Sequence, residues 1–87
     1  MTIWIAVVAL ALSAGTAFAT PNCTSEPKSK WLDKDAFKSK VAALGYEFNS
    51  VKTAGSCYEI YGRDKTGKRV EVYFNPITAA IVEEHKN

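Results

Sequence analysis

Residues 57–75, with the sequence CYEIYGRDKTGKRVEVYFN, decide the fold of this chain. Apolar and polar side chains alternate along both halves of the stretch, and this period of two is typical of half-buried β-strands. The polar loop between the halves, residues 64–68, contains Gly67 near its end, where hairpin loops of three to five residues need a positive φ. The stretch therefore predicts a β-hairpin with one buried face and one outer face.

The alternation assigns the side chains of the predicted hairpin to these two faces. The buried face carries Tyr58, Ile60, Val70, Val72 and Phe74. The outer face carries Glu59, Tyr61, Arg63, Arg69, Glu71 and Tyr73. Cross-strand pairs among such residues stabilise a sheet, but tyrosine and arginine are also typical anchors of protein interfaces. The outer face is thus the candidate interaction face, with sheet stability alone as the other explanation.

The first 19 residues differ in composition from the rest of the chain. Residues 3–12 are an apolar run, and residues 17–19 read Ala-Phe-Ala. An apolar core of this length with an Ala-x-Ala ending predicts a secretory signal peptide, cleaved after Ala19. A membrane anchor is the alternative, but a span needs about 20 apolar residues. We therefore expect a periplasmic or secreted protein with no stable membrane span after cleavage.

The remaining chain, residues 20–87, is long enough for one small domain. A domain of this size buries only about 60% of its unfolded surface and is marginally stable without reinforcement. Its two cysteines, Cys23 and Cys57, are an even number in a small exported chain, which predicts a disulfide worth about 3–4 kcal/mol. Two free thiols are the alternative, and the spacing fits no metal site.

The segment before the hairpin predicts an arm and one helix. Residues 20–30 contain prolines, serines and charges without a period, which is typical of a linker arm. Asp33 is a good helix N-cap, and Gly45 stands where a left-handed C-cap would be placed. The apolar stripe predicted to face the sheet consists of Phe37, Val41 and Leu44. Trp31 is expected to pack over the helix start or the sheet edge.

Two further segments predict the remaining strands. Residues 46–53 predict a first strand with a bulge or early exit at Asn49 and Ser50, because the spacing of the apolar residues is irregular there. Residues 80–82 predict a short fourth strand or a frayed extension. The residues after them predict a polar tail with an exposed His85.

The whole pattern predicts an α+β fold, with one N-terminal helix packed on a three- to four-stranded antiparallel meander. The domain is expected at residues 31–84, with residues 85–87 as a tail.

Charge and composition argue against several function classes. The net charge is +2, and the basic residues are scattered among acidic ones, so nucleic acid is not an expected partner. His85 is the single histidine and forms no recognisable nucleophile–base pair. On an open sheet face, nothing would separate the pKa values of Glu59 and Glu71 as a catalytic pair requires. We expect a monomer that is not an enzyme, with no catalytic residues, no cofactor and no metal.

Several motifs together resemble a known family. They are Cys23-Thr-Ser-Glu-Pro27, Lys30-Trp-Leu-Asp33, Leu44-Gly-Tyr46, Cys57-Tyr-Glu-Ile-Tyr-Gly62 and residues 64–76. In this combination the chain is similar to small exported proteins of the PepSY family. The family pattern after the last long strand is similar to Asp-Pro-x-Thr-Gly, whereas this chain has Asn75-Pro-Ile-Thr-Ala79. A turn that needs a positive φ at Ala79 would be strained or differently shaped.

The resemblance implies a helix packed on a small antiparallel sheet, and it supplies no catalytic residues. PepSY domains occur in propeptides of secreted peptidases and as separate exported proteins, and a role in inhibiting or regulating peptidases is implied for them. We therefore expect a non-enzymatic binding module that acts on a peptidase or another envelope protein. A small envelope carrier for a ligand or metal is the alternative, supported by Trp31 and the basic side of the helix.

Overall fold

The computed structural model describes residues 19–87, so the predicted signal peptide, apart from Ala19, lies outside the described residues. The described residues form one short 3-10 helix, one α-helix and a five-stranded antiparallel sheet, which confirms the predicted α+β class. In chain order these elements are the 3-10 helix Lys28–Lys30, α1 Lys34–Ala43, β1 Glu47–Phe48, β2 Lys52–Ala54, β3 Cys57–Arg63, β4 Arg69–Phe74 and β5 Ile81–Lys86. None of the helices in residues 19–87 has the length and apolar character needed to cross a bilayer.

Strand β3 has two short strands on one side and β4 on the other. Strand β1 pairs with the end of β3 at Gly62 and Arg63, and β2 pairs with its beginning at residues 57–59. The predicted first strand is therefore interrupted, as the irregular spacing of its apolar residues indicated. Val51 lies between the two pieces and is buried in the core.

The predicted hairpin is formed by β3 and β4. All five residues assigned to its inner face are buried in one core cluster. In the loop, Asp64 Oδ1 accepts hydrogen bonds from the backbone N–H groups of Thr66 and Lys68, at 2.9 and 3.0 Å. Gly67 has a φ of 87°, as the hairpin loop required.

Helix α1 covers part of the inner face of the sheet. Asp33 caps it by accepting a hydrogen bond from Ala36 N at 2.8 Å. Phe37 is fully buried, and its ring meets those of Tyr58 and Phe74 edge to face, with centroid distances of 4.7 and 5.2 Å. Such aromatic pairs contribute about 0.5–1.5 kcal/mol beyond the burial of their area.

One residue of the predicted helical stripe was assigned wrongly. Val41 is buried, but Leu44 is 49% exposed. The helix ends at Ala43, Leu44 is its C-cap, and Gly45 follows with a φ of 96°. The chain therefore turns away from the sheet before the position of Leu44 can face the core.

The prediction of a polar tail at the end of the chain is wrong. Residues 81–86 form β5, a six-residue edge strand paired with β4. Glu84 accepts a hydrogen bond from the Tyr46 hydroxyl, and Lys86 Nζ lies 3.1 Å from Asp64 Oδ2. Because the residues of β5 find polar partners instead of the apolar core, the strand has no apolar alternation that its sequence could reveal.

The turn between β4 and β5 has the strained residue that the family resemblance predicted. Ala79 has a φ of 63° and is the one described residue other than glycine with a positive φ. Asn75 organises the turn, since its side chain accepts a hydrogen bond from Ile77 N at 2.8 Å and its N–H donates to Ala80 O at 2.8 Å. Alanine therefore adopts the left-handed conformation that the turn imposes.

Candidate interaction face

The six predicted face residues lie on three cross-strand pairs of the hairpin. The register places Glu59 opposite Tyr73, Tyr61 opposite Glu71, and Arg63 opposite Arg69. Neighbouring strands extend these pairs sideways, with Lys52 on β2 next to Glu59, and Glu83 and His85 on β5 next to Tyr73 and Glu71. The outer face is thus a continuous surface across β2, β3, β4 and β5.

The arm, residues 20–30, is fixed to one end of this face. Cys23 and Cys57 form a disulfide with a Cα–Cα distance of 5.1 Å, which confirms the predicted bridge. Cys23 N donates a hydrogen bond to Ser56 Oγ at 2.8 Å, and the Thr20 side chain hydrogen-bonds Tyr73. The first residues of the arm therefore pack on the sheet, on the side opposite the helix.

Packing of the arm divides the face into two parts. Glu59 and Tyr73 are only 6% and 5% exposed, and with Cys57 they form the covered end. The remaining predicted residues form the open end, which consists of Tyr61, Arg63, Arg69 and Glu71. Two of the six predicted residues are therefore inaccessible to a partner while the arm is in place.

The two glutamates of the face, Glu59 and Glu71, share a hydrogen bond between their side chains. Burial raises the pKa of Glu59 above its ordinary value of 4.5, and a hydrogen bond with Glu71 raises it further. Burial would also raise the pKa of Glu71, but hydrogen bonds from Tyr61 and Glu59 outweigh it and lower that pKa. The folded environment therefore favours the protonated form of Glu59 and the ionised form of Glu71.

The two tyrosines act as hydrogen-bond donors to this pair. A hydrogen bond to Glu71 and partial burial raise the pKa of Tyr61. Burial and the charge of Glu59 raise the pKa of Tyr73 to about 12. Both hydroxyl groups therefore stay protonated at physiological pH and donate hydrogen bonds to the two glutamate side chains.

This geometry corrects the argument that nothing on the face separates the two carboxyl pKa values. Glu59 is buried in the face, and this burial separates its pKa from that of Glu71. The two glutamates nevertheless accept hydrogen bonds from Tyr61 and Tyr73, and they lie beside the arm. His85, predicted to be exposed in a tail, lies on β5 with Nε2 3.0 Å from Glu83 Oε2 and with its ring 6.5 Å from that of Tyr73.

The open end presents one tyrosine and two arginines. Tyr61 is 54% exposed, and Lys52 Nζ lies 5.0 Å from the centroid of its ring. Arg63 and Arg69 are exposed, and Arg63 Nη1 donates a hydrogen bond to Gly67 O at 3.0 Å. A shallow recess of about 570 Å³ lies at this end. Its lining includes Tyr61, Arg63, Arg69, Glu71, His85 and Asn87.

Sequence reasoning missed the residues that β2, β5 and the arm bring to the face. Lys52, His85, Asn87 and Thr20 belong to segments that were predicted as a first strand, a tail and a linker. The disulfide was the one sequence signal that could have placed the arm, because a bridge to the outward-pointing Cys57 requires the arm to lie on the outer side.

Of the two features that supported a carrier function, Trp31 has structural partners within the domain. Trp31 meets Tyr58 edge to face at 5.2 Å, and its Nε1 donates to Glu26 O at 3.3 Å. Lys28 Nζ lies 5.8 Å from the Trp31 ring centroid. Among the residues from 19 onward, no three side chains of His, Cys, Asp or Glu come together in a way that could hold a metal ion.

Fold and face together define a small, disulfide-linked α+β domain that presents a sheet surface rather than an enclosed pocket. The sequence model of the family described as "Peptidase propeptide and YPEB domain" (PepSY_2) matches residues 3–85. The chain belongs to this PepSY family. Searches of curated proteins and of solved structures return no match.

Membership of the family gives the general class of the protein. PepSY domains are propeptide-like modules that are generally non-catalytic and are associated with the regulation of peptidases. They are usually extracellular or periplasmic. A regulatory or binding role is thus the broad function that the family indicates.

Proposed function

We propose that this chain is a non-enzymatic binding module of the periplasm or the secreted space, which restrains a peptidase or another envelope protein. The observation that carries the proposal is the open end of the outer face. There the sheet keeps an exposed tyrosine and two exposed arginines, whereas Glu59 and Tyr73 at the covered end are buried. Family membership supports a peptidase as the first class of partner to test.

Export is part of the proposal. The predicted signal peptide would be cleaved after Ala19, which places the new amino terminus at Thr20, directly before the covered end of the face. The Cys23–Cys57 disulfide supports an oxidising compartment, because such bonds persist outside the cytoplasm. Cell fractionation with amino-terminal sequencing should recover an oxidised protein that begins at Thr20. Recovery from the cytoplasm with residues 1–19 attached would contradict this part.

Site-specific photocrosslinking tests the binding role. A photoreactive phenylalanine analogue at position 61 samples the open end, and the same analogue at position 40 samples the solvent side of α1. We expect a crosslinked envelope protein at position 61 and none at position 40. Identification of that protein as a peptidase, followed by a dose-dependent fall in its activity when the purified chain is added, would support regulation.

Two outcomes would contradict the proposal. The first is that position 61 crosslinks to nothing in cells that express the chain at its natural level. The second is that positions 61 and 40 give the same products, since a partner that contacts both sides equally would not be recognised by the sheet face.

A further inference from the structure

We infer that the open end recognises an acidic segment of its partner, with a carboxylate held between Arg63 and Arg69. The inference rests on the proposed function and names the chemistry of the segment that the face accepts. Its basis is a pair of like charges that the fold places side by side without internal compensation.

The register makes Arg63 and Arg69 direct cross-strand neighbours on the outer face. Like charges directly opposite each other destabilise an antiparallel pair, and guanidinium groups stay charged at all physiological pH values. Within residues 19–87, neither arginine has a carboxylate within ion-pair distance. The repulsion between them is therefore left for a ligand to relieve.

Hydrogen-bonding capacity points to an oxyanion. Arg63 uses one donor on Gly67 O, which anchors its guanidinium beside the hairpin loop. A guanidinium has five donors in a planar fork that matches a carboxylate. The remaining donors of Arg63 and those of Arg69 reach the same recess, whose volume of about 570 Å³ admits side chains of an extended segment.

Two other titratable side chains of the recess, Glu71 and His85, contact partners of their own. Glu71 would repel an anion, but its carboxylate accepts hydrogen bonds from Tyr61 and Glu59. His85 lies 3.0 Å from Glu83 on its own strand. The two arginines consequently dominate the end of the recess next to the hairpin loop.

A polypeptide segment fits this surface better than a small ion does. Tyr61 stands beside the arginines with more than half of its surface exposed, and an exposed tyrosine ring contributes to affinity by packing against a side chain, which a small anion does not offer. The chain has a net charge of +2, which complements an acidic partner.

Peptide titration tests the inference directly. The exported protein, purified in its oxidised form, is titrated with acetyl-Asp-Glu-Asp-Glu-amide and followed by NMR of the backbone amides and arginine Nε–H groups. Acetyl-Asn-Gln-Asn-Gln-amide is the neutral match. We expect saturable shifts at Arg63, Arg69 and Tyr61 with the acidic peptide, weakening with added salt, and none with the neutral one.

Three variants distinguish an effect of the two arginines on binding from an effect of the overall charge. Replacing both arginines by glutamine (R63Q/R69Q) should weaken binding by about tenfold or more, because charge-assisted hydrogen bonds are lost. The control K34Q/K40Q removes the same charge from exposed positions of α1 and should leave the affinity unchanged. R69E should also abolish binding while it keeps the fold, because Glu at position 69 would pair with Arg63 across the strands.

Each adverse outcome has a defined meaning. The inference is wrong if the acidic peptide gives no saturable shifts, if the neutral peptide binds equally, or if K34Q/K40Q loses as much affinity as R63Q/R69Q. Equal affinity for inorganic phosphate would replace the acidic segment by a small-anion site. Crosslinking at position 61 that persists in R63Q/R69Q would overturn the inference and leave the proposed function intact. Peptide binding without any crosslinked protein would support the inference and contradict the proposed function.

Discussion

At the scale of single residues, Ala79 is the clearest strained position in the described chain. Its φ of 63° costs an L-residue about 1–2 kcal/mol. Glycine would remove that cost but would lose a buried methyl group worth about 0.8 kcal/mol and add about 0.4–1 kcal/mol of entropy to the unfolded chain. These terms nearly cancel, which explains how alanine is tolerated where the family pattern has glycine.

Substitutions at Ala79 should reveal this balance. Ala79→Gly should change the free energy of unfolding by less than about 0.5 kcal/mol. Ala79→Val should lower it by at least about 2 kcal/mol, because a β-branched residue is strained at positive φ and overfills a buried site. Urea unfolding measures both, with Ala80→Val at the exposed next position as the control. Equal stability of the two valine variants would contradict the strain.

The buried Glu59 should make stability depend on pH in a specific direction. Its pKa is raised in the folded state, so the stability it contributes is complete below 4.5 and is lost as the pH rises through the folded pKa. Glu59→Gln does not titrate and should donate to Glu71 in place of the proton. We expect the stability of the variant relative to the wild type to rise with pH above 4.5.

Glu71 provides the matched comparison, because its pKa is lowered instead. The stability that Glu71 contributes is present above pH 4.5 and is lost as the pH falls through the folded pKa. The Glu71→Gln variant should therefore lose stability relative to the wild type as the pH rises. Thermal melts of the three proteins across this range measure the differences. Parallel curves for all three would contradict the opposite pKa shifts of the two carboxyl groups.

At the scale of elements, β5 differs most from what its sequence indicates. Five of its six residues pair with β4, and the strand also hydrogen-bonds Tyr46 through Glu84 and contacts Asp64 through Lys86. A chain that stops after Val82 would lose these interactions and leave the backbone groups of β4 that face β5 without their strand partners. The strand is thus part of the fold and not an extension of it.

Truncation after Val82 should therefore lower the free energy of unfolding by at least about 3 kcal/mol, at about 1 kcal/mol for each lost hydrogen bond. For a domain of this size that loss lowers the melting temperature by roughly 12 °C or more. Removal of Asn87 alone, which breaks its single backbone bond to Arg69 O, is the control and should have a small effect. A truncated chain as stable as the control would restore the interpretation of a tail.

Elements with strong local signals were predicted well. The N-cap at Asp33, the glycine after α1 and the hairpin loop each depend on a few neighbouring residues, and each is present as expected. The interruption between β1 and β2 was also visible, because apolar spacing changes at that point. Leu44 was misplaced because a spacing rule cannot say where the helix axis leaves the sheet.

At the scale of the whole molecule, the disulfide joins the N-terminal arm to the sheet. It links residues 34 positions apart and holds the arm against the outer face. Without the bridge, the arm would be retained only by contacts such as the hydrogen bonds of Cys23 N and Thr20. The bond therefore affects both stability and the accessibility of the covered end.

Replacement of both cysteines by serine should lower the free energy of unfolding by about 3–4 kcal/mol, which is on the order of 20 °C in melting temperature. Release of the arm should also expose Glu59, so that the pKa of Glu59 returns toward its ordinary value. Calorimetry and NMR titration of the carboxyl carbons measure the two effects. If oxidised, reduced and serine forms melt together, the bridge does not stabilise the domain.

The sequence by itself determined the α+β class, the hairpin, its two faces, the helix caps and the pairing of the two cysteines, because these depend on local periods, on turn chemistry and on a count of thiols. Only the tertiary structure decided that the arm packs on Tyr73, that Glu59 is buried, that the end of the chain is a strand, and that two arginines remain uncompensated at the open end. Those features arise from contacts between residues far apart in the chain, such as Tyr46 with Glu84 and Cys23 N with Ser56. No local pattern encodes such contacts, because each depends on where the rest of the fold places the partner.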